Sequence, residues 1–360
     1  MTATLRLPDV VAPAPATAGV PGIGGRIRAR PEDFVVEEIP AYEADGAPDG
    51  AHVLFWIEKR GRTTDDAVRE IARVCGIPVG AVGVAGKKDR HAVTRQQLSV
   101  PREAAAALAR LDAPDLGVVS TPRPHRNKLR IGHLRGNRFT VTVRDVHLPA
   151  DEVERRLERK RDDLRDRGGL ENRYGAQRFG KDASNAAKGL ARLREGRLRK
   201  GDIVVSAGQS VLFNHYLLGR RLDGTLRRAE SGDIVQKTDT GGMFVCEDPG
   251  EVTPRLERGD AVLTGPMFGS RMRAPPAGTP AAEREARTLA WGSIPPERIA
   301  GLGRAVPGTR RRLLVAPGEL AWSVGTEQDR SVVRITFVLP AGSYATVLLD
   351  ELMHPPPDPP

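Results

Sequence analysis

Cysteine and aromatic side chains are scarce in this 360-residue chain, which has two Cys, three Trp, four Tyr and eight Phe. The two cysteines, Cys75 and Cys246, lie far apart at no metal-ligand spacing. A disulfide framework and a Cys-held structural metal are thereby excluded, and a reducing compartment is implied. No window reaches the roughly 20 apolar residues that a membrane span needs. The opening MTATLRLPDVVAPAPATAGVPG lacks the charged and continuously apolar regions of a signal peptide. A soluble, cytoplasmic protein without membrane contact is expected. The seven histidines form no H-x-x-x-H pair and no serine sits in a G-x-S-x-G elbow, so metallohydrolase and serine-hydrolase readings have no support. Isolated histidines such as His52, His125 and His215 are expected to be structural or superficial.

Positive charge is abundant. Lys and Arg number 56 against 46 acids, a net charge of +10, which favours an acidic partner such as nucleic acid. Its distribution says more than its total. From Leu116 to Arg144 there is no acid, and Arg123, Arg126, Lys128, Arg130, Arg135, Arg138 and Arg144 follow one another. The run from Arg155 to Arg167 is interrupted by acids at helical spacing, with Val153, Leu157 and Leu164 as an apolar stripe. That second run reads as a solvated helix.

The first 22 residues and the tail 355–360 are rich in Pro and Ala or in Pro and are expected to be poorly ordered. Between them, His52–Gly61 reads as a strand. Thr63 or Thr64 then caps a helix with Ala67, Ile71 and Val74 on one face, ending at Gly76 before Pro78. Arg138–Val146 and Val332–Pro340 alternate as strands, and SYATVLLDEL follows as a short helix. The region from Asn172 to about Ala321 carries helical patterns and a Pro/Ala-rich spacer, Arg273–Ala286. Strands at both ends with helices between suggest an insertion into a sheet domain.

One stretch concentrates chemistry. GVAGKKDRHA, Gly83–Ala92, presents Asp89 among Lys87, Lys88, Arg90 and His91, behind small residues that let another molecule approach the backbone. A phosphate-binding P-loop is rejected, because Ala81 stands where its first Gly belongs and Lys88 where its hydroxyl belongs. The following AVTRQQLSVP is β-branched and polar and reads as a strand, leaving Asp89 on a loop between strands.

Taken in order, PEDFVVEE, AGKKDRHAVTRQQ, HRNKLRIGHLRGNRFTV, NRYGAQRFG, SVLFNHYL, LTGPMFG and LPAGSYATVLLDEL resemble the TruD family of tRNA pseudouridine synthases over roughly Ile27–Met353. The resemblance implies an α+β fold: a pseudouridine synthase catalytic domain of mixed, mainly antiparallel sheet with flanking helices, carrying a TruD-specific α/β insertion domain. It divides the chain into a catalytic domain at 23–168 and 319–354 and an insertion at 169–318. It implies isomerisation of uridine to pseudouridine at position 13 of tRNA, with Asp89 as the catalytic carboxylate and neither cofactor nor metal. Phe34, Asn137 and Tyr344 would line the uridine pocket, the two rings offering faces for stacking, with Phe139 packed beside them. Lys88 would hold Asp89 ionised or contact phosphate, and Arg126, Lys128 and Arg130 would follow the RNA backbone. A monomer is expected. The family often has Phe at the place of Tyr344, and Arg173 and Tyr174 depart from its commoner NYFGxQRFG. The remaining alternatives are a synthase acting on another RNA and a non-catalytic tRNA-binding protein or chaperone.

Overall fold

The computed structural model describes residues 5–196 and 201–354, so the tail expected to be disordered at 355–360 lies outside the described residues. The chain divides into a sheet unit, Ile23–Glu158 with Pro317–Gly342, and a helical unit made of residues up to Gly22, Arg159–Ala316 and the segment from Ser343. The fold is a mixed α+β arrangement whose principal sheet is mainly antiparallel. Among the described residues no helix is long and apolar enough to cross a membrane.

In the sheet unit the strands run in the order Gly318–Glu327, Arg330–Pro340, Leu134–Val146, Phe34–Pro40, Val93–Pro101, His52–Arg60 and Leu116–Val118. Phe34–Pro40 and Val93–Pro101 pair in parallel, and the remaining neighbours along this path are antiparallel. The helix expected after His52–Gly61 spans Thr64–Cys75. Thr63 Oγ1 accepts from the Asp66 amide, and Gly76 ends the helix in the left-handed region at φ +65°. Its apolar face, Ala67, Val68 and Ile71, packs on Val53, Phe55, Ile57, Leu98 and Val100 to form one core. In the GNRF segment, Gly136 lies so close to the neighbouring strand that a Cβ would stand 2.3 Å from the Leu339 carbonyl oxygen.

The helical unit contains what its helical patterning concealed. A four-stranded antiparallel sheet orders Met243–Val245, Ile234–Lys237, Ala261–Met267 and Thr309–Arg312. These strands are short, and the longest has only 7 residues, too few for a period of two to stand out. The Pro/Ala-rich spacer is helical from Pro280, where Thr279 Oγ1 accepts from the Ala282 amide and proline occupies the first turn. The N-terminal segment also departs from its composition. Leu7–Val11 is helical and Val10 and Val11 are buried. Glu351 accepts from the amides of Ala16 and Thr17 at 2.9 Å each, and Lys160 Nζ donates to the Thr17 carbonyl at 2.9 Å. The basic run from Arg155 lies in the helix Ala150–Asp166, with Val153, Leu157 and Leu164 buried and Arg155, Arg156 and Arg167 paired to acids of the same helix. His215 is stacked on Trp291 at 4.3 Å, and burial lowers its pKa to about 4.

Candidate active site

The loop bearing Asp89 joins the short strand Gly83–Val84 to Val93–Pro101 and is held along its length. The Gly132 amide donates to the Ala85 carbonyl at 2.8 Å, and Gln96 Nε2 donates to the Gly86 carbonyl at 3.3 Å. The Lys88 amide donates to Thr64 Oγ1 at 2.8 Å, and that hydroxyl donates to Gln96 Oε1 at 2.9 Å. A helix-capping segment, a strand and a turn thus fix the backbone on which the carboxylate stands.

Asp89 itself is open to solvent, its side chain 61% exposed, and Oδ2 accepts from Arg28 Nη2 at 3.2 Å. Arg28 was not singled out from the sequence, since it lies 61 residues away in an unremarkable stretch of basic residues. It adopts φ +60°, a left-handed conformation that side chains other than glycine seldom take. Its guanidinium lies 4.5 Å from the centroid of the Phe34 ring, and its Nε is buried without a hydrogen-bond partner among the described residues. One planar cation therefore spans an aromatic ring and the carboxylate.

Lys88 does not take that part. Its ammonium pairs with Glu38 Oε2 at 2.5 Å, with side chains 5% and 0% exposed. In this arrangement the Lys88 charge is matched by Glu38, and the cation in contact with the Asp89 carboxylate is Arg28. Gly86 closes over the same pair, because a Cβ there would meet Lys88 Nζ at 3.3 Å. The small residues of this loop serve internal packing as well as outside access.

A second lysine, Lys59, comes to Asp89 from the strand His52–Arg60. Its buried Nζ donates to the carbonyl oxygens of Arg62 at 2.6 Å and Asp89 at 2.9 Å. Burial lowers its pKa to about 8, with the Asp89 charge opposing that shift and the Lys88 charge adding to it. Two carbonyls, with no carboxylate in contact, solvate this ammonium among the described residues.

Phe34, Asn137 and Phe139 share the sheet unit with Asp89. Val36 pairs with Phe139 and Glu38 with Asn137 in the register of the two strands. Phe34 meets Phe139 edge-on at 6.2 Å, and Phe139 stacks on Phe337 at 5.1 Å. Phe34 is 2% exposed, with the Arg28 guanidinium over its ring. Asn137 Oδ1 is buried without a partner among the described residues. Tyr344 belongs to the helical unit, where its ring meets Tyr174 at 5.5 Å. Arg311 lies 4.2 Å over that Tyr174 ring and donates to the Asn172 carbonyl at 2.9 Å. Within the basic window Lys128 donates to the Gly80 carbonyl, the Arg126 amide donates to Asp45 Oδ2 at 3.4 Å, and Arg130 is exposed. Among the described residues no group of three or more His, Cys, Asp or Glu is arranged to hold a metal ion.

Comparison with known proteins gives this geometry its relatives. The family model described as tRNA pseudouridine synthase D (TruD) matches residues 15–188 and 187–352. A protein of Anaeromyxobacter dehalogenans named tRNA pseudouridine synthase D is 43% identical over 350 residues, covering 93% of this chain and 95% of that one. Its namesake in Thermus thermophilus is 39% identical, over 94% of this chain and 91% of that one. The fold matches a Methanosarcina mazei crystal structure provisionally described as tRNA pseudouridine synthase D (TruD), with a TM-score of 0.73 and 22% identity over 96% of this chain and 97% of that one. With the family model matched across nearly the whole chain and relatives this similar from end to end, the chain belongs to the TruD family of tRNA pseudouridine synthases.

Proposed function

We propose that this protein isomerises uridine to pseudouridine at position 13 of tRNA, with Asp89 as the catalytic carboxylate and without cofactor or metal. The observation that carries the assignment of Asp89 is its exposed carboxylate joined to Arg28, which rests on the Phe34 ring. An isomerisation of this kind breaks the bond from uracil N1 to the ribose carbon, turns the base, and joins C5 to the same carbon. The proton leaving C5 is balanced by one gained at N1, so neither water nor a redox partner is consumed. Asp89 acts on the sugar, as nucleophile or as base, while Arg28 orients its carboxylate through the 3.2 Å contact at Oδ2. The unpartnered Asn137 Oδ1 suits a donor such as a ribose hydroxyl or the uracil N3–H, and Tyr344 offers a ring for the displaced base.

The sheet unit corresponds in this reading to the catalytic domain and most of the helical unit to the insertion. Arg126, Lys128 and Arg130 supply charge for the RNA backbone, and the protein acts as a cytoplasmic monomer. The test is carbodiimide primer extension on unmodified tRNA transcripts treated with wild type or with Asp89→Asn, while binding is followed in parallel. A stop at position 13 from wild type alone, with RNA binding kept by the variant, is the expected result. A stop elsewhere changes the substrate, and equal stops from both proteins would remove Asp89 from the chemistry.

A further inference from the structure

A cavity of about 440 Å³ opens in the sheet unit, lined by Tyr42, His125, Asn127, Lys128, Arg130 and His133. The Tyr42 ring stacks on His125 at 5.3 Å with an 18° interplanar angle and meets His133 edge-on at 5.5 Å. Tyr42 Oη lies 2.6 Å from His133 Nδ1. Burial raises the Tyr42 pKa, so the phenol keeps its proton. That bond occupies Nδ1 of His133 and leaves Nε2 to donate to or accept from a ligand according to the tautomer. His125 is held from behind, its Nδ1 lying 3.2 Å from both the amide and Oδ1 of Asp45.

Charge stands around these rings. Lys128 is anchored by the Gly80 carbonyl, and Arg130 is exposed without an ion pair among the described residues. Beside Arg130, Ile131 is 66% exposed, an apolar side chain of the kind that presses against an unstacked base. Beneath Tyr42 lies an apolar cluster in which Leu54, Ala85 and Leu129 are buried together, with Tyr42 and Leu134 packed on them. Ala85 also accepts from the Gly132 amide at 2.8 Å, so the rim of the cavity and the loop of Asp89 share a hydrogen bond.

Aromatic and imidazole rings, a ring nitrogen of His133 open to a ligand and a guanidinium unpaired among the described residues, in a space of this size, match one nucleotide of a single strand. We propose that this cavity is a second nucleotide site, which takes one unstacked nucleotide of the RNA substrate away from the target uridine. The base packs against Tyr42 and the imidazoles, and its phosphate rests on Arg130. The proposal rests on the reading of the protein as an RNA-modifying enzyme and adds to it a residue-level site of substrate recognition.

The test measures tRNA transcript affinity over a range of KCl concentrations for wild type, Arg130→Ala, His133→Ala and Tyr42→Leu. Thermal midpoints establish that each variant is folded, and His133→Ala carries the test if Tyr42→Leu unfolds. Arg130→Ala is expected to weaken binding and lower the salt slope by about one. His133→Ala and Tyr42→Leu are expected to weaken binding by about 10-fold with the slope unchanged. An effect of Arg130→Ala alone would overturn the nucleotide site and leave a phosphate contact, and three variants that bind like wild type would overturn it altogether. If wild type binds the transcript without isomerising it, the reading of function fails while the same series still decides the site. Absence of binding by wild type would overturn both.

Discussion

The Glu38–Lys88 pair lies one residue from the carboxylate, and its energetics can be isolated. With side chains 0% and 5% exposed, neither partner can turn to water when the other is removed. Glu38 Oε1 retains a 3.3 Å bond from the Gln97 amide, whereas Lys88 Nζ has no second acceptor among the described residues. Breaking such a pair costs about 3–5 kcal/mol, while replacing both partners together is often close to neutral. Glu38→Gln should therefore lose about 3 kcal/mol, Lys88→Met somewhat less, and the double variant less than the sum of the two by about 2 kcal/mol. Urea unfolding followed by tryptophan fluorescence can read this, because Trp56 pairs directly with Gln97 in the sheet. At a slope of about 2 kcal/mol per molar, Glu38→Gln should lower the midpoint by about 1.5 M. Single-turnover rate should fall with it, since the Lys88 amide anchors the loop on Thr64. Strictly additive costs, or single variants each within about 0.5 kcal/mol of wild type, would refute the claim that a desolvated ion pair holds this loop.

Arg28→Ala should lower turnover by about 100-fold with tRNA affinity little changed, and Arg28→Lys should restore part of it; a KM effect alone would make Arg28 a binding residue only. Lys59 has its pKa lowered from 10.5 to about 8, so between these values the folded state binds fewer protons than the unfolded one and stability rises with pH. Relative to Lys59→Met, wild type should therefore gain about 2 kcal/mol between about pH 7.5 and 9.5 in urea midpoints, and parallel profiles would contradict the burial argument. Glu351→Gln should weaken the docking of residues 12–18, because three donors converge on its carboxylate. Limited proteolysis should then cut this segment faster than in wild type, and an unchanged rate would mean that apolar contacts at Val10 and Val11 suffice.

Local features were legible wherever a period or an end signal falls within a dozen residues. Thr63 and Gly76 bound the helix Thr64–Cys75 in the chain as they do in the fold, and the alternation of Arg138–Val146 falls within the strand Leu134–Val146. The ordered motifs are by themselves enough to mark the family. Composition misled where it stood in for contact. A Pro/Ala-rich N-terminal segment is ordered by Glu351, 335 residues away, and short strands between helices left no period to read.

The sequence by itself determined the family, the loop that bears Asp89 and the helices and strands whose capping and alternation are local. Only the tertiary structure decided which cation meets that carboxylate. Proximity in the chain favoured Lys88, but the interior takes Lys88 to Glu38, 50 residues away, and brings Arg28 to Asp89 across 61. The reason is physical: a desolvated ammonium must find a counter-charge or carbonyl oxygens in the interior, as Lys88 finds Glu38 and Lys59 finds two carbonyls, and which partner is within reach is set by the pairing of strands, which no local spacing records.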